Sequence, residues 1–222
     1  MKKTLLLIPL ALGLGSSAWA GTCGMAALSV YDAAGFSCNI GDLTFSDFSY
    51  IPAASGGAIS PPDSGVTVDP ASIGGETGLE FTAAWLVGPD QTIDSSISFA
   101  VSTDNPGGIT DADLVAVGGA GGTGVASVAE LISGSTVSTG LFTSYAGGVG
   151  TPTDSTTFAP ESTLSITKDI GVSGGTTGSG HLSDIFNLFS QGTTTTTPEP
   201  SLLILCTGLL GLVPLARRKL LR

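Results

Sequence analysis

Residues 79–101 read LEFTAAWLVGPDQTIDSSISFAV, and the fold class turns on this stretch. Leu79, Phe81, Ala83, Trp85 and Val87 alternate with mostly polar or small residues, and Ile93, Ser95, Ile97, Phe99 and Val101 do the same. A period of two puts each set on one face of an extended chain, as in a β-strand with one buried side. Gly88-Pro89-Asp90-Gln91-Thr92 lies between the two sets. It is turn-forming and of hairpin length, so the two strands are predicted to pair antiparallel.

The same pattern continues outward. Leu164, Ile166, Lys168, Ile170 and Val172 alternate as a third strand, with a lysine in phase with the apolar residues. Further strands are predicted at 43–51, 65–69, 113–117, 124–132, 136–145 and 155–158, the first with a phase break at Ser46-Asp47 that reads as a bulge. Eight to ten short strands predict an all-β protein, an antiparallel β-sandwich. Leu182, Ile185, Phe186 and Phe189 recur at helical spacing, so the end of the body reads either as a short helix or as one more strand. No internal repeat of 20 to 50 residues is visible, which argues against a solenoid or a repetitive β-helix.

Charge is segregated along the chain. Of 7 basic residues, Lys2 and Lys3 open it and Arg217, Arg218, Lys219 and Arg222 close it, leaving Lys168 alone between them. Residues 21–197 carry 17 acids and one base, a formal charge of −16. Such a body repels phosphate backbones, and no nucleic-acid partner is expected. One His and one Lys also leave little for general-base, Schiff-base or His-rich metal chemistry, so no enzyme is expected.

The two ends read as addresses. Lys2 and Lys3, the apolar run 5–14 and the small-x-small step Ala18-Trp19-Ala20 compose a secretory signal peptide over residues 1–20, removed by signal peptidase after Ala20. Thr22 before Cys23 departs from the small residue a lipoprotein signal requires. At the other end, residues 201–216 (SLLILCTGLLGLVPLA) are uncharged and are followed at once by Arg217-Arg218-Lys219. Sixteen residues give roughly 24 Å of helix, a short membrane span whose basic cluster stays cytoplasmic.

Pro198-Glu199-Pro200, the apolar run and the terminal basic cluster, in that order, resemble the PEP-CTERM sorting signal over about the last 25 residues. The resemblance implies that a membrane-embedded exosortase, a cysteine-protease-like transpeptidase, reads the tail and cuts near Pro198-Glu199-Pro200, so the helix is a temporary anchor. It also implies a Gram-negative host that exports exopolysaccharide, and a destination at the cell surface or in the extracellular matrix. Cys206 and Pro214 depart from the Leu, Ala and Gly usual in that segment. The expected organisation is therefore a signal peptide at 1–20, an acidic sandwich domain at 21–190, a Thr-rich spacer at 191–197, and a sorting signal at 198–222 with its transmembrane helix at 201–216.

Within the exported body, Cys23 and Cys38 are the only cysteines, and in an oxidising compartment they are expected to form a disulfide. Gly119-Ala120-Gly121-Gly122-Thr123-Gly124 satisfies G-x-G-x-x-G literally. No acid follows within residues 131–153, so a glycine-rich hairpin loop is expected rather than a dinucleotide site. Asp104, Asp111 and Asp113, with Asn105, are oxygen donors that could take calcium, but they miss the EF-hand spacing and read better as a polar turn. Calcium is the cofactor these donors would suit, and none is expected.

His181, with serines and Asp184 nearby, allows a Ser-His-Asp hydrolase on paper, although such a neighbourhood arises by chance in a Ser- and Asp-rich chain. The leading expectation is a non-enzymatic surface or matrix protein whose acids allow divalent cations to bridge it to acidic exopolysaccharide. The alternative is a carbohydrate-binding or adhesin module with Trp85 or Tyr145 on an exposed face. Ice binding is less favoured, because the threonines scatter along the chain.

Overall fold

The structure is a computed structural model and describes residues 21–193. The signal peptide, the last threonines of the spacer, the Pro-Glu-Pro motif and the 201–216 helix lie outside the described residues. Among those described, no helix is long and apolar enough to cross a membrane.

The first part of the chain holds β1 (Gly21–Thr22), β2 (Ala26–Ala27), the single-turn helix α1 (Leu28–Tyr31), β3 (Ser37–Ile40), β4 (Leu43–Ile51), β5 (Ala54–Ser55), β6 (Thr67–Ile73) and β7 (Glu76–Val87). The second holds β8 (Thr92–Thr103), β9 (Ile109–Gly121), β10 (Val125–Ser133), β11 (Ser138–Ala146), β12 (Val149–Thr151), β13 (Thr153–Glu161), β14 (Thr163–Ser173) and β15 (Ser179–Gln191). They make a two-sheet sandwich. Sheet A runs β1-β3-β4-β8-β14-β10-β11-β12, with β5 also on β8, and sheet B runs β13-β9-β15-β7-β6-β2. Every ladder is antiparallel except the short β1–β3 pair.

The strands predicted on either side of Gly88-Pro89-Asp90 both form, but they do not pair with each other. β7 lies in sheet B and β8 in sheet A, so the turn carries the chain across the sandwich. Each strand has an apolar inner face, and the two faces bury each other across the core. A hairpin would instead have put both apolar sets on one sheet. The glycine-rich stretch at 119–124 is likewise not a hairpin loop: it links β9 of sheet B to β10 of sheet A. There Gly124 takes the fourth place of a turn (N–H to Gly121 O, 3.0 Å), and a Cβ on it would stand 2.0 Å from the Ser179 carbonyl. Backbone passes backbone too closely there for any side chain, which accounts for glycine at 124.

Residues 182–189 are strand, not helix. β15 pairs with both β7 and β9, and its register slips between Leu182 and Asp184. That bulge inserts one residue, so Leu182 and Ile185 both face the core three positions apart, and the spacing imitates a helical one. The phase break at Ser46-Asp47 is also a bulge: the β4–β8 register shifts between Ser46 and Ser49, with Asp47 at φ 55°. β15 extends to Gln191, whose amide donates to Thr103 Oγ1 at 2.8 Å, so Gln191 belongs to the sandwich rather than to the spacer.

The core is one cluster centred on aromatic rings. Phe99 stacks on Phe48 at 5.5 Å between centroids and lies 5.8 Å from Phe81 and 6.2 Å from Phe45. At the start of the domain, Cys23 and Cys38 are joined by a disulfide that closes a 15-residue separation around α1. Replacing both cysteines by serine is expected to lower stability by about 3 kcal/mol in the chain-entropy account. Denaturant titration of the variant against the oxidised parent measures this, and equal midpoints would contradict it.

Candidate functional site

The outer face of sheet A is the most distinctive surface of the domain. The ladders align its outward side chains in rows: Thr44, Ser102 and Thr163 in one, and Ser49, Ser98, Thr167, Leu131 and Gly140 in the next but one. Between these two rows stand Ser46, Ala100, Ser165, Ser133 and Ser138. Hydroxyls that scatter along the sequence are thus gathered by register into a lattice, with neighbouring strands about 4.8 Å apart. Each hydroxyl both donates and accepts hydrogen bonds and carries no charge.

The following row runs Ser96, Asp169, Ala129 and Phe142. Phe142 is 53% exposed, an aromatic ring lying open beside Ala129, with the exposed Leu131 in the adjoining row. Its backbone N–H is held by Asp154 Oδ2 at 2.8 Å, which ties down the free edge of β11. A shallow groove crosses the next row, where Gly171 leaves a gap between Asp94 and Ser127, with Val125 on the wall. Asp94 lines the groove, and Asp169 stands in the adjoining row. Burial, and then the hydrogen bond and charge of Asp94, raise the Asp169 carboxyl above its ordinary range.

The outer face of sheet B has a different character. Glu76, Asp111 and Asp113 gather at one end, and Asp69, Glu80 and Asp184 lie further along. Glu76 is pushed up to about 7, first by burial, then by the hydrogen bond and charge of Asp113 and the charge of Asp111. Glu80 is raised by burial and then by Asp184 and Asp69. Glu161 is the opposite case. Its carboxylate accepts hydrogen bonds from the hydroxyls and N–H groups of Thr136 and Ser135 and from the Val137 N–H. The Thr136 and Ser135 hydroxyls are the main reason its pKa falls to about 2.

The two shifts have opposite signs in stability. Carboxyls raised on folding stabilise fully below their unfolded values, and this contribution is lost as pH rises, through about 7 for Glu76. The Glu161 contribution is present above its unfolded value and is lost as pH falls through about 2. The thermal midpoint is therefore expected to rise on acidifying from about pH 8 to about pH 5 and to fall below about pH 3. Scanning calorimetry across that range checks this, and a midpoint that falls steadily from pH 8 downward would contradict it.

Trp85 is fully buried in the core and Tyr145 turns inward, its hydroxyl donating to the Ala116 carbonyl at 2.6 Å, so neither is an exposed sugar platform. The exposed aromatic ring of this face is Phe142. Its signal in the sequence was an aromatic ring out of phase with its buried neighbours Leu141 and Thr143. Asp104, Asp111 and Asp113 do not converge: Asp104 stays exposed in the loop, Asp111 accepts the Ser190 N–H at 2.8 Å, and Asp113 bonds Glu76. Asn105 makes the predicted polar turn, accepting the Gly107 N–H at 2.9 Å. Among the described residues, no group of three or more His, Cys, Asp or Glu side chains is placed to hold a metal ion.

His181 lies on the outer face of sheet B over Gly119, while Asp184 is taken by Ser183 Oγ at 2.6 Å and Thr82 Oγ1 at 3.1 Å. One literal G-x-S-x-G does occur, Gly171-Val172-Ser173-Gly174-Gly175, but it leads from β14 toward β15 rather than into a helix. Ser173 is on the outer side of sheet A, the opposite face from His181. No Ser-His-Asp constellation forms among the described residues.

The interior holds a polar cluster that charge counting did not reveal. Lys168, fully buried on β14, bonds Glu130 of the neighbouring β10 and, at 2.8 Å, Asn187 Oδ1 of β15 in the facing sheet. Asn187 Nδ2 donates to Glu130 Oε1 at 3.1 Å and lies 3.4 Å from the Asp113 carbonyl. Lys168 Nζ also stands 5.7 Å from the centre of the Phe99 ring. Burial lowers the Lys168 pKa, against the opposing attraction of Glu130.

No family model matches the chain, and no curated protein matches it. Among solved structures it is similar to TmCBM61 in complex with β-1,4-galactotriose, with 15% identity and a TM-score of 0.33 over 62% of this chain and 86% of that one. It is also similar to the enzymatically active domain of tailspike protein 4 of bacteriophage CBA120, with 12% identity and a TM-score of 0.28 over 63% of this chain and 19% of that one.

Proposed function

We propose that the domain is a non-catalytic, polysaccharide-binding protein of the cell surface or extracellular matrix, and that it engages glycan through the outer face of sheet A. The observation that carries this reading is the exposed ring of Phe142 set beside rows of uncharged hydroxyls. An open aromatic face takes the apolar side of a sugar ring, and hydroxyls on neighbouring strands exchange hydrogen bonds with its edge. The groove at Gly171, lined by Asp94 and with Asp169 in the adjoining row, offers carboxylate acceptors to sugar hydroxyls. Delivery is part of the same proposal. The signal peptide exports the chain, the 201–216 helix holds it at the membrane, and exosortase releases it at Pro198-Glu199-Pro200.

The test is titration of the protein with exopolysaccharide purified from its host. Phe142→Ala is expected to weaken binding about tenfold, equivalent to about 1.4 kcal/mol of lost contact. Leu86→Ala, on the outer face of sheet B, is expected to leave it unchanged. Native affinity in Phe142→Ala would overturn the reading. Binding abolished by excess chelator would move recognition to cation bridges from the carboxylate pairs. Ice binding is a second reading of the same face, because the hydroxyls that scatter in sequence stand in rows on the sheet. Thermal hysteresis lost in Thr167→Arg would favour it.

A further inference from the structure

We propose that Lys168 and Asn187 are joined by a covalent isopeptide bond, formed autocatalytically with Glu130 as the proton carrier, which ties the two sheets together across the core. Lys168 is the only base among residues 21–197, yet it is not at the surface, where a solitary lysine would cost nothing. Its amine is fully buried, beside a carboxamide on the opposite sheet and a carboxylate on the next strand, with the Phe99 ring close by. An isolated ion pair at such a site is a poor stabiliser, because desolvation consumes most of the Coulomb attraction. The same dry setting favours the uncharged amine, which is the nucleophile.

The step balances without any outside reagent. An Nζ proton passes to the Glu130 carboxylate, and the freed lone pair attacks Cγ of Asn187, placing negative charge on Oδ1. The tetrahedral intermediate transfers a second Nζ proton, by way of Glu130, to Nδ2. The Cγ–Nδ2 bond then breaks, ammonia leaves and the carbonyl re-forms. The departing ammonia takes the remaining proton from Glu130 and leaves as ammonium: alkylammonium plus carboxamide gives secondary amide plus ammonium, nothing is oxidised or reduced, and Glu130 is regenerated as carboxylate. The contacts of Nζ to Oδ1 and of Nδ2 to Glu130 hold the nucleophile, electrophile and proton carrier together before reaction, which is where intramolecular catalysis gains most. Glu130 is thus a catalytic residue.

The sequence supplies an unusually clean test. Lys168 is the only Lys or Arg between Lys3 and Arg217, and trypsin does not cut after a lysine whose Nζ is acylated. The exported chain, freed of its signal peptide but with its tail intact, is expected on reduction, denaturation and digestion to keep residues 21–217 as one fragment whose mass is lower by one ammonia than the sequence requires. Cleavage after Lys168 into two fragments, with no ammonia lost, would overturn the proposal. Glu130→Gln, close in shape but unable to carry the proton, and Asn187→Leu, which removes the electrophile, are both expected to restore cleavage. Persistent protection of Lys168 in Asn187→Leu would overturn the assignment of partner, and ammonia loss in Glu130→Gln would overturn the role of Glu130. The readouts are taken on denatured chain, and a cooperative unfolding transition recorded for each variant beforehand separates loss of the reacting group from loss of the fold.

Discussion

Glu130→Ala is expected to be among the most damaging single changes in the domain, costing about 3–5 kcal/mol. Without Glu130 the bond to Asn187 does not form, and the loss comes from what is left behind: a fully buried ammonium whose remaining partner is the Asn187 carbonyl oxygen. An uncompensated charge in the interior either stays at full desolvation cost or gives up its proton, and both routes weaken the fold. Replacing the whole cluster, with Lys168→Met, Glu130→Leu and Asn187→Leu together, removes both charges of the cluster and roughly keeps the volume. It is expected to recover most of that loss. Urea titration of the single and triple variants measures the difference as a shift in midpoint at unchanged slope. A triple variant no more stable than Glu130→Ala would show that burial of charge is not what the single change exposes.

The second large effect is at Trp85. Its side chain is fully buried, and its Nε1 has no hydrogen-bond partner among the described residues. Trp85→Ala is expected to cost about 3–5 kcal/mol, through lost transfer energy and the cavity left between the sheets. Trp85→Phe is expected to cost less than about 1.5 kcal/mol, because it keeps most of the ring volume and removes an N–H that finds no acceptor. In neither variant should glycan affinity change beyond what unfolding explains. Chemical denaturation gives the first comparison and titration with polysaccharide the second. A tenfold loss of affinity in a folded Trp85→Phe protein would move the binding surface away from sheet A.

Phe142 and Lys168 show how much of this was legible beforehand. Lys168 stands in phase with Leu164, Ile166, Ile170 and Val172, and that alternation already placed it on a buried face. Its partners were not legible. Glu130 and Asn187 are 38 and 19 residues away, and only the β10–β14 register and the facing of β15 bring them together. Phe142 was readable as the outward member of its strand, but nothing local said that β11 would extend a hydroxyl-bearing sheet. The helical spacing around Leu182 and Phe189 misled for a definite reason, since one inserted residue converts a period of two into a step of three. The pairing of residues 79–87 with 93–101 failed for another: a turn of hairpin length also suits a crossing between sheets, and the choice depends on which apolar faces must bury each other.

By itself the sequence determined the class of the fold, because alternation of apolar side chains is a local property of an extended chain with one dry side. It likewise determined the segregation of charge, the cysteine pair available for a disulfide, and a tail that resembles a sorting signal, since each is a matter of composition or short motif. Tertiary structure alone decided which strands are neighbours and which face each other. Register across two sheets is a cooperative outcome of packing, and no short stretch encodes it. That register turned scattered serines and threonines into a surface, and one lysine, one glutamate and one asparagine into a reactive centre inside the core.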